Sequence, residues 1–208
     1  MATPREKVVA EIGVSEAKFA PKVAGAYVTP ISVKYAIGIV LDPTVERVER
    51  YADNRLVLGI PNEQGMEGTL GTTARDVELE KVTGTAMEVT GGVATLQQKT
   101  YARGAVYFEH EEVDEDNVIK KVKTWCFDAE LGRGGVNHST KTGTLAFADY
   151  TYPLRVLGET LMKSDGASEY VDENGMGRVA YMVSAWPGDT GYATFGDEVP
   201  TPKALVGA

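Results

Sequence analysis

Cysteine occurs once, at Cys126, so an intrachain disulfide is impossible and a thiolate metal cage cannot be built within one chain. Flanked by Trp125 and Phe127, the thiol reads as a small buried hydrophobe. Histidine occurs twice, at His110 and His138. Neither has a second histidine four residues on or a cysteine pair nearby, so spacing along the chain offers no zinc site. Apolar runs are short. Nowhere do about eighteen apolar residues follow one another, and MATPREKVVAEIG at the N-terminus has charges but no apolar core of signal-peptide length. A protein cytosolic when made is expected. Basic residues are outnumbered, 21 Lys and Arg against 30 Asp and Glu, for a formal charge of −9 and a pI near 4.8. Gripping nucleic acid needs clustered cations, so a clamp is excluded. A conduit is not, because an acidic surface repels phosphates that slide past it.

Catalytic signatures are missing too. There is no G-x-S-x-G elbow, no phosphate loop after Arg133, and no dinucleotide fingerprint. A Ser-His-Asp set could still assemble from distant positions, but no motif asks for one. Calcium loops starting at Asp114 or Asp172 would place Trp125 or Val183 where a bidentate glutamate is required, so both stretches read as solvated turns. The expectation is a protein that is not an enzyme, with no catalytic residue, cofactor or metal.

Glycine, by contrast, is plentiful, 23 of 208 residues against an average of about 7%, and Thr, Val and Tyr are frequent. The length suits one domain, and this composition favours strands joined by tight turns. An arm is expected over residues 1–26, with one strand around Lys7 to Ile12. Tyr35 to Leu41 reads as a central strand, apolar on both faces and closed by Asp42-Pro43. In TVERVERYADN, Asp42 as cap and Pro43 at the first helical position favour a helix, whereas Val45, Arg47 and Glu49 alternating with Glu46, Val48 and Arg50 suit a strand charged on both faces.

The stretch from Tyr51 to Gly84 has the most order. Asp53-Asn54 is a turn pair, Arg55 to Ile60 is an apolar run ending at Pro61-Asn62, and Gln64-Gly65 punctuates the chain before a second strand, Met66 to Gly71. Thr73, three residues ahead of Asp76, suits a helix start. Ala74, Val77 and Val82 share a face, and Gly84 is a left-handed stop.

Further on, Met87 to Leu96 reads as a broken hairpin. Thr100 to Val113 and Ile119 to Leu131 pair around Asp114 to Asn117. Pairing Val113 with Val118 would set Glu111 against Lys120 and Val106 against Trp125, and a slip would turn Trp125 and Phe127 outward. Gly132 to Gly135 marks a flexible tip. Thr140 to Tyr152, ending at Pro153, and Leu154 to Met162 are strands. Ala167 to Val171 and Arg178 to Ser184 flank the Asn174-Gly175 hairpin signal, and residues 187–208 read as a tail.

The order YADN, then Gly68-Thr69-Leu70, then a short acidic helix, resembles the major tail tube proteins of long non-contractile-tailed bacteriophages and prophages. An acidic strand (Ala105 to Val113), a basic-aromatic strand (Lys120 to Leu131) and a Thr/Lys-rich turn leading to Thr140–Tyr152 follow in the order such proteins show. The blocks span roughly Tyr35 to Met162. This resemblance implies a mainly β fold of two packed antiparallel sheets, a β-sandwich or barrel-like body over residues 27–186, with one short flanking helix and a long loop. It also favours the strand over the helix at residues 44–50.

It implies a virion protein that forms six-membered rings stacking into a tube for DNA delivery. Its partners would be other copies of itself, a tape-measure protein, a tail terminator and baseplate proteins, with DNA passing unbound and no membrane contact. The Asp42–Gly68 loop is the expected stacking contact, with Tyr51, Asp53, Asn54 and Arg55 at its corner. Glu46, Glu49, Glu111 and Glu112 are the expected lumen groups. The rival is a β-sandwich carbohydrate-binding or host-recognition module, with Trp125, Trp186 and Tyr192 as a stacking platform.

Overall fold

The structure, a computed structural model, describes residues 8–52, 55–136 and 149–204. The strands are β1 Val8–Val23, β2 Ala26–Tyr27, β3 Ile31–Ser32, β4 Ala36–Ala52, β5 Arg55–Thr72, β6 Ala86–Val89 and β7 Gly92–Thr95. They continue with β8 Ala102–Asp114, β9 Ile119–Leu131, β10 Gly135–Val136, β11 Tyr150–Val156, β12 Glu159–Thr160, β13 Val179–Ala180 and β14 Met182–Ala185. Among the described residues a single short helix, α1, spans Val77–Val82, and one 3-10 turn spans Tyr192–Thr194. The mainly β class with one short helix is as expected.

The strands are antiparallel, and ten of them form one sheet in the order β2-β1-β8-β9-β11-β5-β4, with β3, β10 and β14 attached beside it. Two small ribbons, β6–β7 and β12–β13, complete the set. Layering arises because β9 changes partner along its length: β14 pairs with its residues 123–126 and β11 with residues 129–131. Between them Asp128 sits at φ 47, in the left-handed region where a strand must bend. The fold therefore has two cores. Cys126, Val106, Phe19, Leu70, Leu79, Leu131, Tyr152 and Val156 fill the inside of the curled sheet. Trp125, Phe127, Tyr107, Ala105 and Ala20 fill the other side of β8 and β9, covered by Phe195 and Val199.

Several sequence-level boundaries move, for identifiable reasons. Residues 44–50 are strand, and β4 runs on through Pro43, which pairs with Met66. Proline is tolerated because β4 is the sheet's edge and needs no donor on its outer side. Pro61 likewise pairs with Arg47 inside β5, so the expected return at Pro61–Gly65 does not exist. The two short strands are one, and the expected long loop is a β-ribbon. Gly68 lies inside β5, and a Cβ there would come within 1.8 Å of the Val40 carbonyl oxygen. It is glycine because β4 and β5 press together at that point.

The helix cap is Asp76 and not Thr73. Its carboxylate accepts from the backbone N–H of Glu78, Leu79 and Lys34, and Tyr152 OH accepts from Asp76 N–H. The covered helix positions are Leu79 and Glu80, while Val82 is exposed. Gly84 stops the helix at φ 72, as expected.

The β8–β9 register differs from the expected one by one residue: Val113 faces Ile119, Glu111 faces Lys121 and Tyr107 faces Trp125. Asp114 stays in the ladder, donating its N–H to Val118, and Asn117 adopts φ 58. That is a three-residue loop closing through a left-handed residue. Trp125 and Phe127 stay buried because residues 124–129 are covered on both faces. Alternation along this part of β9 has no polar face to enforce a single register.

The strand expected at Lys7–Ile12 continues to Val23 and pairs along β8 from Val8↔Asp114 to Pro21↔Gly104. Gly132 is no loose tip. It is buried, and its N–H bonds to the Pro153 carbonyl. Pro153 itself pairs with Thr69 inside β11. The Asp172–Gly175 turn forms, with Asp172 accepting from Asn174 and Met176, but β13 and β14 beyond it pair with β12 and β9. Leu145, Phe147 and His138 lie outside the described residues.

Candidate functional site

Two features stand apart from ordinary core and turn. The first is the outer part of β4–β5. From Val45↔Glu63 to Ala52↔Arg55 the two strands pair with each other, and no other named strand pairs with them there. Val45, Glu46, Arg47, Glu49, Arg50, Arg55, Asn62, Glu63 and Gln64 are exposed. Alternating residues of both faces meet solvent, which a strand does not do when it serves its own core. Tyr51 is the penultimate residue of β4 and pairs with Leu56, Arg55 opens β5 opposite Ala52, and Asp53 and Asn54 lie outside the described residues. Glu46 accepts from Gln64 Nε2 at 2.8 Å, and Glu49 pairs with Arg47 at 3.1 Å.

The second is the seam where the sheet's margins approach. Among the described residues β4 has β5 as its sole ladder partner, and the first half of β1 pairs only with β8. β1 and β4 approach without pairing and leave a groove of about 480 Å³, walled by Ile12, Val14, Ile37, Ile39, Phe108 and Trp186 among others. Ile37, Val40 and Val45 along β4 are exposed. An edge of this length with apolar side chains is a template for another chain.

The expected lumen carboxylates fall on two separate elements, β4 and β8. Glu46 and Glu49 ride on the ribbon, while Glu111 and Glu112 sit at the far end of β8. Being consecutive, they point to opposite sides of the sheet. Glu111 is half-buried, and Glu112 is only 6% exposed, accepting from Trp186 Nε1 at 2.7 Å. His110 Nε2 stands 3.7 Å from the other oxygen of Glu112. Across the ladder Glu11 is the direct partner of Glu112, and donor atoms of Glu11, His110 and Glu112 all lie within 4.8 Å of one another. Glu11 had no signal in the sequence, because the cluster exists only through strand pairing.

The carbohydrate platform is not formed. Trp125 is fully buried, tilted against Tyr107 at 5.1 Å, and donates its indole N–H to the Phe195 carbonyl. The segment after Trp186, expected as a tail, folds back over the second core. Lys18 Nζ donates to the Gly196 carbonyl, Lys123 Nζ to that of Tyr192, and Tyr192 OH to that of Lys121. Beneath it lies Glu109. Burial opposes its charge, but hydrogen bonds from Tyr107 OH and Lys121 outweigh that and hold its carboxyl below the usual range. Burial in turn pushes the Tyr107 phenol up, helped by Glu109. Burial alone pushes the Cys126 thiol up to about 12, which makes it inert. These shifts belong to packing, not to a reactive pocket.

No family model matches the sequence, and no curated protein matches it. Among solved structures the chain is similar to one from the cryo-EM structure of the anti-feeding prophage (AFP) baseplate, 6-fold symmetrised. The TM-score is 0.42 and the identity 14%, over 75% of this chain and 93% of that one. Among the described residues no helix is long and apolar enough to cross a membrane, which says nothing of crossing by strands.

Proposed function

We propose that this chain is a structural subunit of a bacteriophage or prophage tail, a tail tube protein that closes into six-membered rings and stacks into a hollow tube. One observation supports the reading above the others: the β4–β5 ribbon, paired with itself and with solvent-exposed residues on both faces, extends from a sheet whose edge strand has no outer partner among the described residues. Within a lone subunit such an edge is a liability, and closure of identical copies turns it into an interface. Stacking of rings is head-to-tail and open-ended. Tube length would thus be set by other components, for which a tape-measure protein, a terminator and a baseplate are the proposed partners. The role is structural and involves no catalysis, and the site of action is the virion tail.

In this reading Tyr51, Asp53, Asn54 and Arg55 at the ribbon's end meet the adjoining ring. The net charge of −9 suits a channel past which phosphates slide. Purified protein at high concentration forms rings or tubes by negative-stain electron microscopy. A strictly monomeric particle under all conditions defeats the proposal, and retention of that monomer on glycans would favour a recognition module.

Glu46, Glu49 and Glu111 are the carboxylates proposed to line the lumen. Glu112, bonded under Trp186, is left intact in the test. Reversing the three charges to lysine leaves tubes of normal shape but slows DNA ejection severalfold, because basic walls bind phosphate. Unchanged ejection through normal tubes removes these residues from the lumen.

A further inference from the structure

We propose that Glu11, His110 and Glu112 form a binding site for a divalent transition-metal ion of the zinc class, at the mouth of the groove between β1 and β4. The three donor atoms lie within 4.8 Å of one another. Ligand bonds of about 2.0–2.2 Å to a shared ion require them to draw in by roughly an ångström, a movement that side-chain torsions supply. The backbone sets the geometry. Glu11 and Glu112 are direct ladder partners, and His110 stands two residues before Glu112 on the same face of β8. Gly13 follows Glu11 closely at φ 42, where the ladder shifts between Ile12 and Val14, a bulge of the kind that re-aims neighbouring side chains.

Without a cation the arrangement is unfavourable. Like charges directly opposite on paired strands repel, and the ammonium nearest in register, Lys120, is engaged with Asp114 at 2.8 Å. The imidazole is also incompletely satisfied. His110 Nδ1 is buried with no hydrogen-bond partner among the described residues, a state that native interiors rarely leave uncompensated. A shared ion removes the repulsion and engages Nε2, the ring nitrogen that faces Glu112.

The surroundings act as metal sites require. Trp186 Nε1 holds one oxygen of Glu112 at 2.7 Å, leaving the other turned to His110, and the ring of Phe108 lies 5.8 Å from that of His110. Such outer contacts fix the orientation of ligands. One imidazole and two carboxylates suit zinc or its first-row neighbours, whereas calcium and magnesium ask for six or more oxygens. Three protein ligands leave a fourth position facing the groove.

The test uses the full chain, tag-free and stripped with chelator, titrated calorimetrically with zinc chloride and separately with calcium chloride. Zinc binds one per chain in the micromolar range, and calcium at least a hundredfold more weakly. Glu11→Gln, at an exposed position, and His110→Asn each weaken zinc binding tenfold or more, while His138→Asn leaves it unchanged. Excess zinc raises the thermal midpoint of the parent protein by about 5 °C or more and leaves that of Glu11→Gln in place. Zinc binding no tighter than millimolar, or equal affinity in the parent, Glu11→Gln and His110→Asn, overturns the assignment.

Discussion

Replacing residues 46–62 by Asn-Gly yields a folded monomer that no longer assembles. Val45 and Glu63 are direct partners in the ladder, so a two-residue turn of this type joins them without shifting the strands. Among the side chains of 46–62 that the structure describes, none belongs to either core. Shortening a connection also lowers the entropy of closing it. The unfolding free energy therefore changes by less than about 1 kcal/mol, checked by denaturant titration.

Assembly responds in the opposite sense. If the ribbon carries ring-to-ring contact, the shortened chain forms no tubes at concentrations a hundredfold above those at which the parent does, read by sedimentation and negative stain. Rings without tubes would separate the stacking role of the ribbon from the closing role of the β4 edge. Normal tubes from the shortened chain would remove the ribbon from the assembly contact.

How much of this was legible in the sequence depended on whether the signal was local. The helix at Val77–Val82 was, because Thr73, Asp76 and Gly84 fall within one short stretch, although the cap is Asp76 and not Thr73. The strand at residues 44–50 was decided by resemblance against local propensity, and pairing with Glu63 to Arg55 is what makes it a strand. Pro43, Pro61 and Pro153 look like breaks in a sequence, but each sits paired inside a strand. Gly132 to Gly135 reads as a tip along the sequence, whereas Pro153 packs against Gly132.

The misjudged register at Trp125 has a different cause. Alternation fixes register only where one face is polar, and β9 is covered on both sides between residues 124 and 129. The cluster around His110 was invisible for a third reason. Its members are separated by about a hundred residues, and no spacing rule reaches across β1 and β8.

Trp125→Ala gives the largest loss of stability expected of any single substitution here, about 3–5 kcal/mol. At roughly 2–4 °C per kcal/mol for a chain of this size, the thermal midpoint falls by about 10 °C. The side chain is fully buried, its ring leans on Tyr107 at 5.1 Å, and its N–H is the donor to the Phe195 carbonyl at 2.7 Å. Removing it empties the centre of the second core and detaches one tether of the C-terminal segment. Trp125→Phe separates the two effects. It keeps most of the apolar contact but leaves the Phe195 carbonyl without its donor, for a cost of about 1–3 kcal/mol.

Hydrogen exchange reads the consequence by segment. In Trp125→Phe the amides of residues 192–197 lose protection, while those of β5 and β11, on the other side of the sheet, keep theirs, because local openings follow local contacts. Lys18 and Lys123 still hold the carbonyls of Gly196 and Tyr192, so the segment loosens without leaving. A loss below about 1 kcal/mol in Trp125→Ala, or unchanged exchange over residues 192–197 in Trp125→Phe, would mean that this segment closes the second core by other contacts and that Trp125 is not its anchor.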